Sequence, residues 1–396
     1  MGLRSVYVTG LGIVSAIGNN LDENYQSLQS AQTGIGPIQI LPFKSNNLVG
    51  EVKLTDSDLI RKYNLKEEPY SRTSLLGIAA AVEAWGNNQL NPQIPTGFIS
   101  ASSVGGMDKT EIYYRQVLKN EIPDTNLIVT HDSGNTSEKI ASHIGIKGYI
   151  NTISTACSSG ANAIMLAARL IQSGKFERML VGGTDALADF TIKGFHSLMI
   201  YDSHWCKPFD ENRVGLNLGE GAGFLVLESK SSMDKTGNSA ICGISGWHNA
   251  ADAYHQTASS PEGKGASLAM EGALKKAGLS PSQISYINAH GTGTKNNDLS
   301  ESTALKNVFG STIPPFSSTK AFTGHTLAAA GAIEAVFAAL AIKNKVLFPN
   351  LNFSEPIAET QLIPQSNFEQ VKEVSAVLSN SFGFGGNNTS LIFHQV

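Results

Sequence analysis

Three side chains combine a reactive type with a position from which it can be used: Cys157, His290 and His325. Cys157 sits in "STACSSG" (154–160), between small residues, where a β-rich stretch gives way to a helix. The unpaired N–H groups and positive dipole end of a helix start favour an anion, so a thiolate is expected there. The competing reading is a buried free cysteine, which behaves as a small hydrophobe. His290 closes an apolar strand in "NAHGTGT", and His325 opens a helix in "SSTKAFTGHTLAAAGA". Strand ends and helix starts flanked by glycine are where a rigid scaffold brings side chains to one cleft. One such histidine is more often a satisfied core group or a surface residue. Two in matching contexts, opposite a cysteine placed in the same way, point to a Cys/His/His nucleophilic site.

The elements that must position these groups alternate. Strand-like runs, "SVYVTGLGIV", "TGFISAS", "YINTIST", "RMLVGGTDAL", "GFLVLES", "ISYINAH" and "AVLSNSFGF", are interleaved with helical stretches at 72–85, 161–173, 266–277 and 326–342. That alternation indicates an α/β fold. The polar segment at 229–239 is the best seam, and it divides the chain into halves, 1–235 and 236–396, built on one plan. In each, a strand ends in a glycine turn and leads to a small-residue helix. The helices at 161–173 and 326–342 are apolar on nearly every face, the pattern of central helices, and Gly174 stops the first.

Composition narrows the function. A chain of 396 residues with 41% hydrophobic and 16% charged residues exceeds the size of one ordinary core and is expected to be ordered. Its three cysteines, Cys157, Cys206 and Cys242, contain no CxxC pair, so neither a disulfide framework nor a metal site is expected, and a reducing cytoplasm fits best. The opening "MGLRSVYVTGLGIVSAIG" reads as a strand and turn rather than a signal peptide. The apolar run 327–342 falls short of the ~20 residues of a membrane span and carries Glu334, so no membrane partner is expected. The NxS/T triplets at Asn135, Asn352 and Asn388 then read as chance matches. A formal charge of −4 argues against general nucleic-acid binding.

The ordered set "VYVTGLGIVSAIG", "TACSSG", "KPFDENRVGLNLGEGAGFLVLE", "DAYHQTASSPEGKG", "NAHGTGTKNND", "SSTKAFTGHTLAAAGAIEA" and "NSFGFGGNN" resembles the elongating β-ketoacyl-acyl-carrier-protein synthases of the thiolase-like superfamily. The resemblance runs over essentially the whole chain. Its His/His pair distinguishes it from initiating synthases, which use His and Asn. It differs from degradative thiolases too, which bring a late cysteine that is missing here. The resemblance implies a five-layer α/β/α/β/α sandwich of two duplicated halves, with Cys157 on a central helix. It also implies decarboxylative Claisen condensation in fatty acid or polyketide/aryl-polyene-type biosynthesis, with no bound cofactor. Phosphopantetheine arrives on an acyl carrier protein, and the chain pairs as a homodimer or with a related subunit.

Carried over by residue, the resemblance makes Cys157 the acyl acceptor, with His290 and His325 assisting malonyl decarboxylation. Lys320 holds the histidine network, and Glu334 supports Lys320 directly or through water. The N–H groups of Cys157 and Phe384 form an oxyanion hole, and Phe384 is the gating phenylalanine with Phe382 beside it. Thr292 and Thr294 bind the pantetheine arm, and Met107 is a candidate for lining the acyl pocket. Two features depart from the family: Val214 stands where Asp is frequent, and the loop "SLMIYDSHWCKPFD" is short. A non-catalytic chain-length partner is the alternative, and the presence of Cys157 argues against it. The stretch "LIRKYNLK", with Arg61, Lys62 and Lys66 and with Arg72 beyond, is a candidate docking face for an acidic carrier.

Overall fold

The computed structural model describes residues 4–66 and 68–396, so the first three residues of the opening stretch lie outside it. Ten strands carry the fold. In chain order they are β1 (Val6–Val14), β2 (Thr96–Ala101), β3 (Ile150–Ile153), β4 (Arg178–Asp185) and β5 (Gly221–Glu228), then β6 (Cys242–Ala251), β7 (Tyr286–Asn288), β8 (Phe316–Ser317), β9 (Ala376–Gly383) and β10 (Asn387–His394). The first five run in the spatial order β3-β2-β4-β5-β1 and the second five in the order β8-β7-β9-β10-β6. Counted within each half, both orders are 3-2-4-5-1. In both, strands 2, 3 and 4 are parallel and strand 5 is antiparallel to its neighbours. The halves join where Val6–Val8 of β1 pairs with Cys242–Ile244 of β6.

Six helices fill the layers: α1 (Arg72–Trp85), α2 (Ser133–Ile144), α3 (Ser159–Gln172), α4 (Lys264–Ala277), α5 (Lys295–Phe309) and α6 (Ala330–Asn344). The α1 and α2 pair packs outside the first sheet, α4 and α5 outside the second, and α3 and α6 lie between the sheets. This is the expected five-layer arrangement. Every residue of α6 from Ala330 to Ile342 is buried, which explains its lack of a polar face. The stretch Leu327–Asn344, apolar enough to cross a bilayer, is therefore core. Helices α3 and α6 approach closely because Gly160 leaves no side chain between them; a Cβ there would meet Ala332 N at 2.7 Å and Ala328 O at 2.8 Å.

Two expectations need correction, and one strand was not foreseen. The helix foreseen at 326–342 is broken: Leu327–Ala329 forms a 3-10 turn with Leu327 at φ +53°, and α6 starts at Ala330. The break lies at the left-handed Leu327, and the turn is held in place as His325 N–H donates to Asn217 O, Leu327 N–H to His325 Nδ1 and Ala328 N–H to Asp185. His325 thus precedes the central helix rather than opening it. Strand β10 shows no run of apolar residues at its start, yet Asn387–Ser390 pair with β9 and β6 while their side chains are satisfied by other polar groups. Arg72 leaves the candidate docking face, because its guanidinium is buried against Glu220 (2.6 Å) and Asp56 (3.0 Å).

Candidate active site

Cys157 follows β3 and lies two residues before α3, whose N-cap is Ser158. Ala156 holds the chain in a sharp turn with φ +54°, a conformation that non-glycine residues adopt only when their surroundings impose it. Those surroundings are on view: Thr155 N–H donates to Ser159 Oγ (2.7 Å), and Ser158 Oγ donates to Asn387 Oδ1 (2.7 Å). From the other half, the end of β9 comes so close that a Cβ on Gly383 would sit 3.2 Å from Cys157 N. The backbone N–H groups of Phe384 and of Cys157 itself favour the ionised sulphur. The thiolate expectation fails here. Burial pushes the Cys157 thiol up to about 11, further than the Lys320 charge and these two N–H groups pull it down.

Cys157, His290 and His325 line one cavity of about 290 Å³, together with Thr292, Thr294 and Phe384. The imidazoles stand edge to face, with ring centroids 5.4 Å apart. His325 Nδ1 accepts the Leu327 N–H at 3.1 Å, which leaves the proton on Nε2. His290 Nδ1 lies 3.2 Å from Lys320 Nζ, a donor, so the same tautomer follows. Burial and the Lys320 charge hold both rings well below the ordinary imidazole range, and His325 adds to the effect on His290. Each ring is therefore a neutral Nε2–H donor.

Lys320 and Glu334 form a direct ion pair, each side chain 2% exposed. Lys320 Nζ also donates to His290 O at 2.6 Å. Burial pushes the Glu334 carboxyl up to about 7, against the pull of Lys320. One ammonium thus touches the backbone and the ring of His290 together. Thr292 and Thr294 share a hydroxyl contact at 2.8 Å. Phe384 stacks on Phe195 of the helix Asp189–Ser197, and Phe382 packs against His290 with centroids 5.8 Å apart. Met107 is not among the residues that line this cavity; it begins the helix Met107–Leu118.

Two family models match the chain: a beta-ketoacyl synthase N-terminal domain over residues 3–233 and a beta-ketoacyl synthase C-terminal domain over residues 241–354. The chain belongs to the β-ketoacyl synthase family. Among its relatives, a 3-oxoacyl-[acyl-carrier-protein] synthase 2 from Staphylococcus aureus is 35% identical over 99% of this chain and 98% of its own. Among solved structures, the ishigamide ketosynthase/chain length factor superposes with a TM-score of 0.93 at 28% identity, covering all of both chains. A type II polyketide synthase ketosynthase, in complex with its acyl-carrier protein and bound to the hexaketide, superposes at 0.88 with 27% identity, again over both whole chains. The synthase is an acyltransferase with the thiolase-like fold of these neighbours.

Around its cavity the synthase relies on groups that sequence reasoning missed. Glu301, fully buried on α5, accepts the N–H groups of His290 (2.9 Å) and Gly291 (2.8 Å), and burial pushes its carboxyl up to about 7. Asp298 accepts those of Phe209, Thr292 and Gly293. The available signal was two carboxylates three residues apart, early in a helix, just after a glycine turn full of free N–H groups. Asn217 secures the short loop: its Nδ2 donates to Asp202 O (3.0 Å) and His204 O (2.9 Å), and its Oδ1 accepts the Cys206 N–H (2.8 Å). Val214 lines the cavity and is 62% exposed, so this position adds an apolar side chain at the solvent side. Arg213 turns away and binds the carbonyls of Thr294, Lys295 and Asp210.

Proposed function

We propose that the synthase joins a Cys157-bound acyl chain to the two-carbon unit of malonyl-acyl-carrier protein by decarboxylative Claisen condensation. The observation that carries this reading is the pair of neutral Nε2–H imidazoles sharing one cavity with Cys157. In the first half-reaction Sγ attacks the acyl thioester. The oxyanion is held by the N–H groups of Cys157 and Phe384, and the thiol proton ends on the departing pantetheine sulphur. In the second, the malonyl carboxylate leaves as CO₂, and its bonding electrons become an enolate whose oxygen receives both imidazole N–H groups. Such donors are worth ~3 kcal/mol each when aimed at developing charge. The enolate carbon then attacks the acyl-cysteine carbonyl, and the Cys157 thiolate leaves and takes a proton from solvent.

The supporting roles follow. Lys320, backed by Glu334, holds His290; Thr292 and Thr294 bind the pantetheine arm; Phe384 gates the entry. Phe195, Met199, Ile200, Val214 and Leu216 give the cavity an apolar side that favours an apolar acyl chain, of the kind used in fatty acid or polyketide assembly. The phosphopantetheine is a visitor attached to its carrier, and the protein keeps no cofactor of its own. The chain divides at about 235 into two duplicated halves, works in the cytoplasm, and pairs with a second copy or with a related subunit. Carrier docking falls to Arg61, Lys62 and Lys66, which are exposed on and just after the helix Asp56–Lys62. The test is to supply an acyl-carrier protein and malonyl-carrier protein and follow β-ketoacyl product and CO₂ together. Equal amounts of both are expected; CO₂ without the condensed product, or neither, counts against this reading.

A further inference from the structure

Asp185 ends β4 fully buried, does not line the cavity, and still binds the turn that follows His325. Its Oδ1 accepts the Ser102 hydroxyl (2.7 Å) and the Val104 N–H (3.2 Å), while the Ser103 N–H is shared between both oxygens at 3.1 Å. Its Oδ2 accepts the Ala328 N–H at 2.8 Å. Ala328 is the middle of the 3-10 turn that follows His325, and the preceding N–H, that of Leu327, is the one that caps His325 Nδ1. The turn cannot hold itself in this form cheaply, because Leu327 sits at φ +53°. An external anchor must keep it there.

We infer that Asp185 is a positioning residue for the malonyl half-reaction: by holding Ala328 N–H it fixes the turn that keeps His325 in the Nε2–H tautomer. This rests on the reading of His325 as an enolate donor. Without the anchor, Leu327 N–H swings off Nδ1, and the imidazole proton is free to move to the side away from the cavity. Asp185 has a second effect of opposite sign. Its charge opposes ionisation of the Cys157 thiol, whereas that of Lys320 favours it. One carboxylate therefore helps the decarboxylating histidine and restrains the nucleophile.

The opposition makes the test. Asp185→Asn keeps the shape, and because three donors converge around Oδ1, the new amide group settles at the Oδ2 side and faces Ala328 N–H, donor against donor. With the full-length protein, CO₂ release from malonyl-carrier protein should fall by about tenfold or more. Alkylation of Cys157 by iodoacetamide, read by intact mass across a pH series, should shift to lower pH because the opposing charge has gone. Asp185→Glu, which keeps the charge but displaces it by one methylene, should lose decarboxylation while the alkylation profile stays in place. It also carries the test if the Asn variant does not fold. Full CO₂ release in either variant, or an alkylation profile unmoved in a folded Asn variant, overturns the inference. Wild-type protein that releases no CO₂ overturns the synthase reading beneath it.

Discussion

At the scale of the residue, the histidines are donors because neither is allowed to be a cation. Burial and the neighbouring ammonium of Lys320 keep both neutral, and a backbone N–H or the Lys320 ammonium occupies each Nδ1. Replacing His290 or His325 by Ala should slow malonyl decarboxylation roughly a hundredfold or more while acylation of Cys157 persists. Separate assays of CO₂ release and of enzyme mass check this, and a variant that decarboxylates at the normal rate removes its histidine from the mechanism. That Cys157, His290 and His325 meet at one cavity was legible in the sequence, since residue type and glycine context carry them. The ionisation state of Cys157 was not. A helix start favours the thiolate, but only the folded structure shows how completely the sulphur is withdrawn from water. Asp185, Glu301 and Asp298 escaped for a related reason: a carboxylate that serves backbone N–H groups looks like any other acidic residue until the turn it serves is folded.

At the scale of the element, the central crossing of α3 and α6 ties the nucleophile to the histidine turn. Gly160 lies three residues after Cys157, and the atoms that a Cβ would strike belong to Ala328 and Ala332. Gly160→Ala should therefore cost about 1–3 kcal/mol of stability. It should also reduce decarboxylation, because the displaced backbone is the one that follows His325. Urea denaturation and CO₂ release check the two parts, and an unchanged urea midpoint would show that the helices have room to spare. Apolar periodicity revealed most of the strands and helices. It failed at Leu327–Ala329, where Leu327 takes a left-handed conformation that the apolar pattern does not reveal, and at β10, whose polar opening is matched by a buried amide network around Asn387.

At the scale of the whole molecule, two five-stranded halves of one ten-stranded sheet, identical in order, enclose the pair of central helices, and the cavity draws Cys157 from one half and both histidines from the other. The similar plan of the halves was visible in sequence as paired strand, turn and helix patterns; the strand order was not, because it depends on pairings between distant segments. Deep burial also sets the response to alkali. Burial raises the thiols of Cys157 to about 11 and Cys206 to about 12 from an ordinary value of 9.0, so the unfolded chain loses protons that the folded chain keeps. Stability should therefore decline as the pH rises through about 9, read as a lower urea midpoint at about pH 10 than at about pH 8. A flat profile would mean that these thiols are open to water. The central claim is that Cys157 carries the acyl chain on its way to the condensed product, and intact-mass spectrometry tests it most directly. Wild-type protein treated with an acyl-carrier protein should gain one acyl group and lose it when malonyl-carrier protein is added, with β-ketoacyl product appearing, while Cys157→Ala should gain nothing. An acyl group that appears on the Cys157→Ala protein, or one that stays on the wild type after malonyl-carrier protein is supplied, would contradict the account.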